Sequence, residues 1–137
     1  MKENSLYDKK SLREITGKST DWNEVAKDCV AFSNAQGGVI DYGIEDDTDA
    51  PPADQKVSED IAINLENKIS GKTLNVSVHT EIRTHDNGGQ YIRLHIARGI
   101  SSASTTSGKY FIRVSDNSVP LTGDDITRLS AEKGYYR

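Results

Sequence analysis

The apolar positions of this chain follow two periods. Trp22, Val25, Ala26, Cys29, Val30 and Phe32 recur at helical spacing, which predicts an amphipathic helix over residues 22–35. Asp21 precedes it as an N-cap, with Glu24 three residues on as capping-box partner. Gly37-Gly38 closes it, because glycine takes the left-handed conformation that ends a helix. A second helix is predicted from Ser58, with Glu59 and Asp60 at its positive end, a stripe of Ile61, Leu65 and Ile69, and a stop at Gly71. A third starts at Thr122, turns Ile126 and Leu129 inward and ends at Gly134.

The other period is two. Leu74, Val76, Val78, Thr80 and Ile82 alternate with Asn75, Ser77, His79, Glu81 and Arg83, as in a strand with one buried face. Asp86-Asn87-Gly88-Gly89 is a hairpin turn, after which Ile92, Leu94 and Ile96 face inward and Arg93 and His95 outward. Residues 11–16 read as a short strand leading to Gly17, 39–44 as an apolar strand, and 109–115 as a strand in which Tyr110, Ile112 and Val114 alternate with Phe111 and Arg113. Residues 45–57 form a long acidic loop and 101–108 a Ser/Thr-rich one. The expected fold class is α+β: a mixed sheet with two to three helices packed against it. The expected organisation is a flexible segment over 1–10, one domain over 11–133, and a C-terminal end over 134–137 that reads as the edge of an excised piece.

Size and charge narrow the choices. The chain has 137 residues, enough for one modest core. No apolar run approaches the roughly 20 residues of a membrane helix, and no signal peptide opens the chain, so a cytoplasmic location is the default expectation. Cys29 is the only cysteine. This excludes an internal disulfide and a multi-cysteine zinc site, and its place on an apolar face reads as a buried thiol. The net charge of −4 is unfavourable for a nucleic-acid binder, but it is unevenly spread. Nine acids against Lys56 leave −8 over residues 41–66, and six bases against Glu81 and Asp86 leave +4 over 72–113. Such blocks describe either a polarised molecule or two solvated faces. Gly71-Lys72-Thr73 imitates the end of a phosphate loop, but the upstream glycine position is Glu66 and the segment follows a helix instead of preceding one.

Phe32-Ser33-Asn34-Ala35-Gln36-Gly37-Gly38, with Gly43-Ile44-Glu45-Asp46 after it, resembles the core signature of the AlbA-2 (Schlafen-type) nucleic-acid-binding domain. Tyr110-Phe111-Ile112-Arg113-Val114-Ser115 resembles its Tyr-x-x-Arg-x-Gly strand, with Ser115 where glycine is usual, and residues 124–129 resemble its closing helix. The likeness covers about residues 11–130. It implies an Alba-like two-layer sandwich and a DNA- or RNA-binding role in a transcriptional regulator, non-catalytic on its own. In this family the domain usually opens a longer chain. Asn34, Gly37, Gly38 and Gly43 are the expected structural motif, and their backbone N–H groups the alternative phosphate contact.

Three functional readings stay open. In the first, the basic hairpin and the loop at 101–109 bind nucleic acid: His79, Arg83, Arg93, His95, Lys109 and Arg113 contact phosphates, and Tyr91 or Phe111 stacks on bases. In the second, the resemblance implies a Schlafen-like ribonuclease holding Mg or Mn on three acids. Glu14 matches the second acid and Glu45 or Asp46 the third, but Lys9 stands at the first, with Asp8 beside it as a substitute. The third is a protein-interaction or dimerisation module using the acidic loop, a homodimer fitting the Alba likeness. No metal or other cofactor is expected outside the nuclease reading, and the histidines have no metal spacing.

Overall fold

The computed structural model describes residues 2–135. In chain order it contains β1 (Tyr7–Lys10), α1 (Arg13–Thr16), α2 (Trp22–Asn34), β2 (Gly38–Tyr42), α3 (Glu59–Lys72), β3 (Thr73–Leu74), β4 (Val78–Thr84), β5 (Gln90–Ile96), β6 (Ser104–Thr105), β7 (Tyr110–Val114), β8 (Asn117–Leu121) and α4 (Asp124–Tyr135). The fold is α+β. Four strands form a mixed sheet in the order β1-β2-β5-β4, with β1 and β2 parallel and the other neighbours antiparallel.

The apolar periods place the core. Ile40 and Tyr42 of β2 and Ile92, Leu94 and Ile96 of β5 point to one face of the sheet, where they meet Val25, Cys29 and Phe32 of α2 and Leu65 and Ile69 of α3. Each fully buried large side chain contributes about 1.5–3 kcal/mol. Cys29 is completely buried, and burial pushes its thiol pKa far up. The β7–β8 hairpin, a separate two-stranded sheet, also packs on α2, which explains why α2 is buried on more than its apolar stripe, down to Asp28, Ser33 and Asn34. Asp21 caps α2 as expected, accepting from the N–H of Asn23 and Glu24 at 3.1 and 3.2 Å. Glu24 does not close a capping box; it pairs with Lys27 at 3.1 Å.

Several elements differ from the sequence expectation. The strand expected over 11–16 lies earlier, at Tyr7–Lys10, and Arg13–Thr16 is a helical turn. The segment read as flexible, 1–10, thus supplies the edge strand of the sheet. The single strand expected from Leu74 to Arg83 is broken at 75–77, where Asn75 takes a φ of 65°. The second helix runs through Gly71 to Lys72, the third through Gly134 to Tyr135, and Ser58 makes no side-chain cap. The strand β8 was not foreseen. The end piece read at 134–137 falls partly outside the described residues. Among the described residues no helix is long and apolar enough to cross a membrane.

Candidate functional site

The turn after α2 is built by glycine. Gly37 has a φ of 74°, and a Cβ there would stand 2.7 Å from both the Ile96 carbonyl and the Arg98 amide. At Gly38 a Cβ would meet the Leu6 carbonyl and the Phe32 ring at 2.6 Å. No side chain fits at either place. Asn34 does not cap its own helix, as local chemistry suggests. Its Nδ2 donates to the carbonyls of Ala103 and Phe111 at 2.9 and 2.8 Å, and its Oδ1 accepts from the Ala103 N–H at 2.7 Å. One side chain thereby ties α2 to the 101–103 loop and to β7. Gly43 accepts at its carbonyl from Gln55 Nε2 at 2.9 Å, securing the 45–57 loop.

The acids considered for metal chemistry sit at the β1 edge. Glu14, Glu45 and Asp46 line one open cleft of about 410 Å³ with Asp8, Lys9, Lys10 and Arg13. Glu45 is held by Arg13 at 2.9 Å. Lys9, at the position of the first acid, donates its ammonium to the Thr48 carbonyl and pairs with Asp49 at 3.5 Å. Asp8 is buried against Arg113 at 3.2 Å. Among the described residues no three His, Cys, Asp or Glu side chains are grouped to hold a metal ion. With an ammonium in place of one ligand and a guanidinium on another, the residues present do not fit a divalent ion. Burial pushes Asp8 up to about 6, helped by a hydrogen bond that protonated Asp8 donates to the Glu3 carboxylate and opposed by Lys10 and Arg113. Burial also raises Glu14 and Asp28, against the pull of Lys10.

The expected nucleic-acid contacts are only partly brought together. His79, Arg83, Arg93 and His95 do share the outer face of β4–β5, with His79 opposite His95 and their rings stacked at 6.1 Å. The two arginines are already paired. Glu81 takes His95 at 3.0 Å and Arg83 at 3.5 Å, and the His95 contact chiefly lowers its pKa. Arg93 donates twice to Asp41 at 2.9 Å, a bidentate pair that raises the guanidinium pKa. Asp41 is 1% exposed and also accepts from the Tyr7 hydroxyl at 2.8 Å. In register across the sheet, Lys9, Asp41, Arg93 and Glu81 form a row of alternating sign. Arg113, expected to point outward, is turned inward. Its side chain is 2% exposed, donating to Asp8 and the Asn4 carbonyl and lying 4.6 Å over the Phe32 ring. The buried Asp8 carboxylate draws it in, reversing the face that alternation assigned.

Lys109 lies elsewhere, in a groove that joins the expected 101–109 loop to two lysines that no sequence pattern assigns there. Lys27 from α2, Lys72 from the end of α3 and Lys109 from the β6–β7 loop line about 460 Å³ of open space with Phe111 and the hydroxyls of Thr105 and Ser107. Glu24 is the only carboxylate among the described residues that line it. The loop is tied down by the Thr106 N–H to the Lys72 carbonyl at 3.0 Å and the Lys109 N–H to Thr105 Oγ1 at 3.1 Å. Lys72 belongs to the Gly71-Lys72-Thr73 run set aside as a phosphate loop. It is not one, because the run ends a helix, but its ammonium reaches the groove.

Comparison with known proteins sharpens the picture. Residues 3–122 match the family model described as Schlafen, AlbA_2. Curated proteins yield no match. Among solved structures, the crystal structure of the DIP2311 protein from Corynebacterium diphtheriae is similar, with a TM-score of 0.60 and 18% identity over 85% of this chain and 25% of that one. The chain thus spans a quarter of that protein's, and the likeness concerns the fold. The family match runs from before β1 to the end of β8 and takes in both the Asn34 turn and the Arg113 strand. The chain belongs to the Schlafen, AlbA_2 family.

Proposed function

We propose that this domain binds nucleic acid, holding its phosphates in the groove between α2, the end of α3 and the β6–β7 loop. The observation that supports this reading is the groove itself. Three lysines line it beside hydroxyls, and although Glu24 holds Lys27 at 3.1 Å, Lys72 and Lys109 meet no carboxylate of the lining, on a chain whose net charge is −4. Family membership points to the same ligand class. The outer face of the hairpin is a weaker candidate, because its arginines are held by Asp41 and Glu81. In the fuller reading the domain serves a transcriptional regulator in the cytoplasm and is non-catalytic on its own. The groove is complete within one chain, so the reading requires no dimer.

Fluorescence anisotropy with labelled tRNA, single-stranded DNA and duplex DNA at low and moderate salt tests it. Two phosphate contacts, at Lys72 and Lys109, predict a log-log salt slope of about −1.5 to −2. Absence of saturable binding to all three ligands at low salt would refute it.

A further inference from the structure

Next to the lysine groove, across the shared wall of Glu24, lies a second cleft of about 400 Å³, within the range of ligand pockets. Its lining includes Lys10, Glu14, Val25, Asp28 and Tyr42. Tyr42 is 0% exposed, and its hydroxyl has no hydrogen-bond partner among the described residues. A buried hydroxyl left unpaired is unfavourable, so native structures rarely keep one. Lys10 stands 3.7 Å from both Asp8 and Asp28, an ion-pair distance beyond hydrogen-bond reach. The lining therefore offers a donor, the Lys10 ammonium, beside acceptors, the Glu14 carboxylate and the Asp28 Oδ2 left by the Ser118 bond to Oδ1, with Val25 as an apolar side and the Tyr42 hydroxyl reached once a ligand parts the side chains that cover it.

Mixed donors and acceptors on a partly apolar cleft suit the edge of a nucleobase. Carboxylates at the same place repel phosphate. A single strand tracking the lysines could thus place a base, but not its backbone, in the cleft. We infer that the cleft between α1 and α2 receives one unpaired base of a single strand whose phosphates occupy the adjoining lysine groove. A duplex keeps its bases stacked and cannot supply one, whereas single strands are recognised by bases splayed out and hydrogen-bonded on their edges. The inference rests on the reading of the groove and adds a preference for single strands.

The test uses Tyr42→Phe, which keeps the buried ring and removes only the orphaned hydroxyl, so its melting temperature is expected to equal or exceed that of the wild type. The probes are homopolymeric single strands of about twelve nucleotides in each of the four bases, the same backbone without bases, and a duplex of equal length. The wild type is expected to bind at least one homopolymer about tenfold more tightly than the abasic strand or the duplex. Tyr42→Phe is expected to lose that advantage and keep its abasic affinity. Equal affinity of the wild type for abasic and natural strands, or an unchanged Tyr42→Phe, would overturn the inference and leave the hydroxyl to a trapped water only. If salt-dependent binding survives in those cases, the groove reading stands without the base site. If no probe binds at all, both fall together.

Discussion

Replacing Asn34 by alanine probes the joint between α2 and the rest of the domain. The change removes three hydrogen bonds of 2.7–2.9 Å, two donated to the carbonyls of Ala103 and Phe111 and one accepted from the Ala103 N–H. Ala103 is 0% exposed, so water cannot replace its partner. An amide left unpaired in that position costs about 1–3 kcal/mol, and each lost carbonyl bond about 0.5–1.5 kcal/mol. The sum is about 2–6 kcal/mol. For a domain of this size the loss corresponds to a fall in melting temperature of about 6–25 °C. Urea titration followed by fluorescence of Trp22, the only tryptophan, gives the stability directly. Asn34→Asp is the sharper companion. It turns the amide that faces two carbonyls into an acceptor and buries a charge, so it should be at least as damaging at pH 8 and partly relieved near pH 5, where the acid can protonate. A loss below about 1 kcal/mol for Asn34→Ala, with Asn34→Asp no worse, would refute the idea that this side chain pins the loop and β7.

Two further outcomes follow from the ion pairs. Burial raises Asp8 to about 6, so the folded protein holds that proton more tightly than the unfolded chain, whose value is near 4. Its contribution to stability is therefore complete below about pH 4 and lost as pH rises through about 6, up to about 3 kcal/mol in all. Urea titrations of wild type and Asp8→Asn from pH 4 to 7 should diverge across that window, and parallel curves would contradict the assignment. Asp41→Asn should remove about 2–4 kcal/mol, since it leaves Arg93 half-buried without its bidentate partner, measurable by the same titration. A neutral effect would mean that the Lys9–Asp41–Arg93–Glu81 row is incidental.

The apolar periods read the centre of this fold well and its margins poorly. Period and glycine placement located α2, β2, α3 and the β4–β5 hairpin, because burial of Phe32, Leu65, Ile92 and Leu94 is what forms them. They missed β1, whose sequence Tyr7-Asp8-Lys9-Lys10 is nearly all charged. That strand is buried by pairing its charges with Asp28, Arg113 and the 48–49 loop and by the Tyr7 hydroxyl bond to Asp41, and no hydrophobic pattern records such pairing. The error over Arg113 has the same origin, since its partner Asp8 lies 105 residues away in sequence. The β8 strand carries Pro120 and little alternation, and only its pairing with β7 makes it a strand. At the site, Lys109 was legible, but Lys27 and Lys72 were not. Each is an ordinary polar-face lysine until the packing of α2, α3 and β6 brings them round one groove. The bidentate hold of Asp41 on Arg93 was equally invisible, although it decides which arginines are free.

The central claim is that phosphates bind in the lysine groove and not on the hairpin face. Anisotropy titration of a labelled single strand at low salt with Lys72→Glu/Lys109→Glu, set against His79→Glu/Arg83→Glu, separates the two most directly. His79, Arg83 and Lys109 are exposed and Lys72 is half-buried, and none of the four belongs to the hydrophobic core. The account predicts that the groove variant loses about tenfold or more in affinity and flattens the salt slope by about 2, while the hairpin variant stays within about threefold of the wild type. The reverse ranking, or an undiminished groove variant, would contradict it.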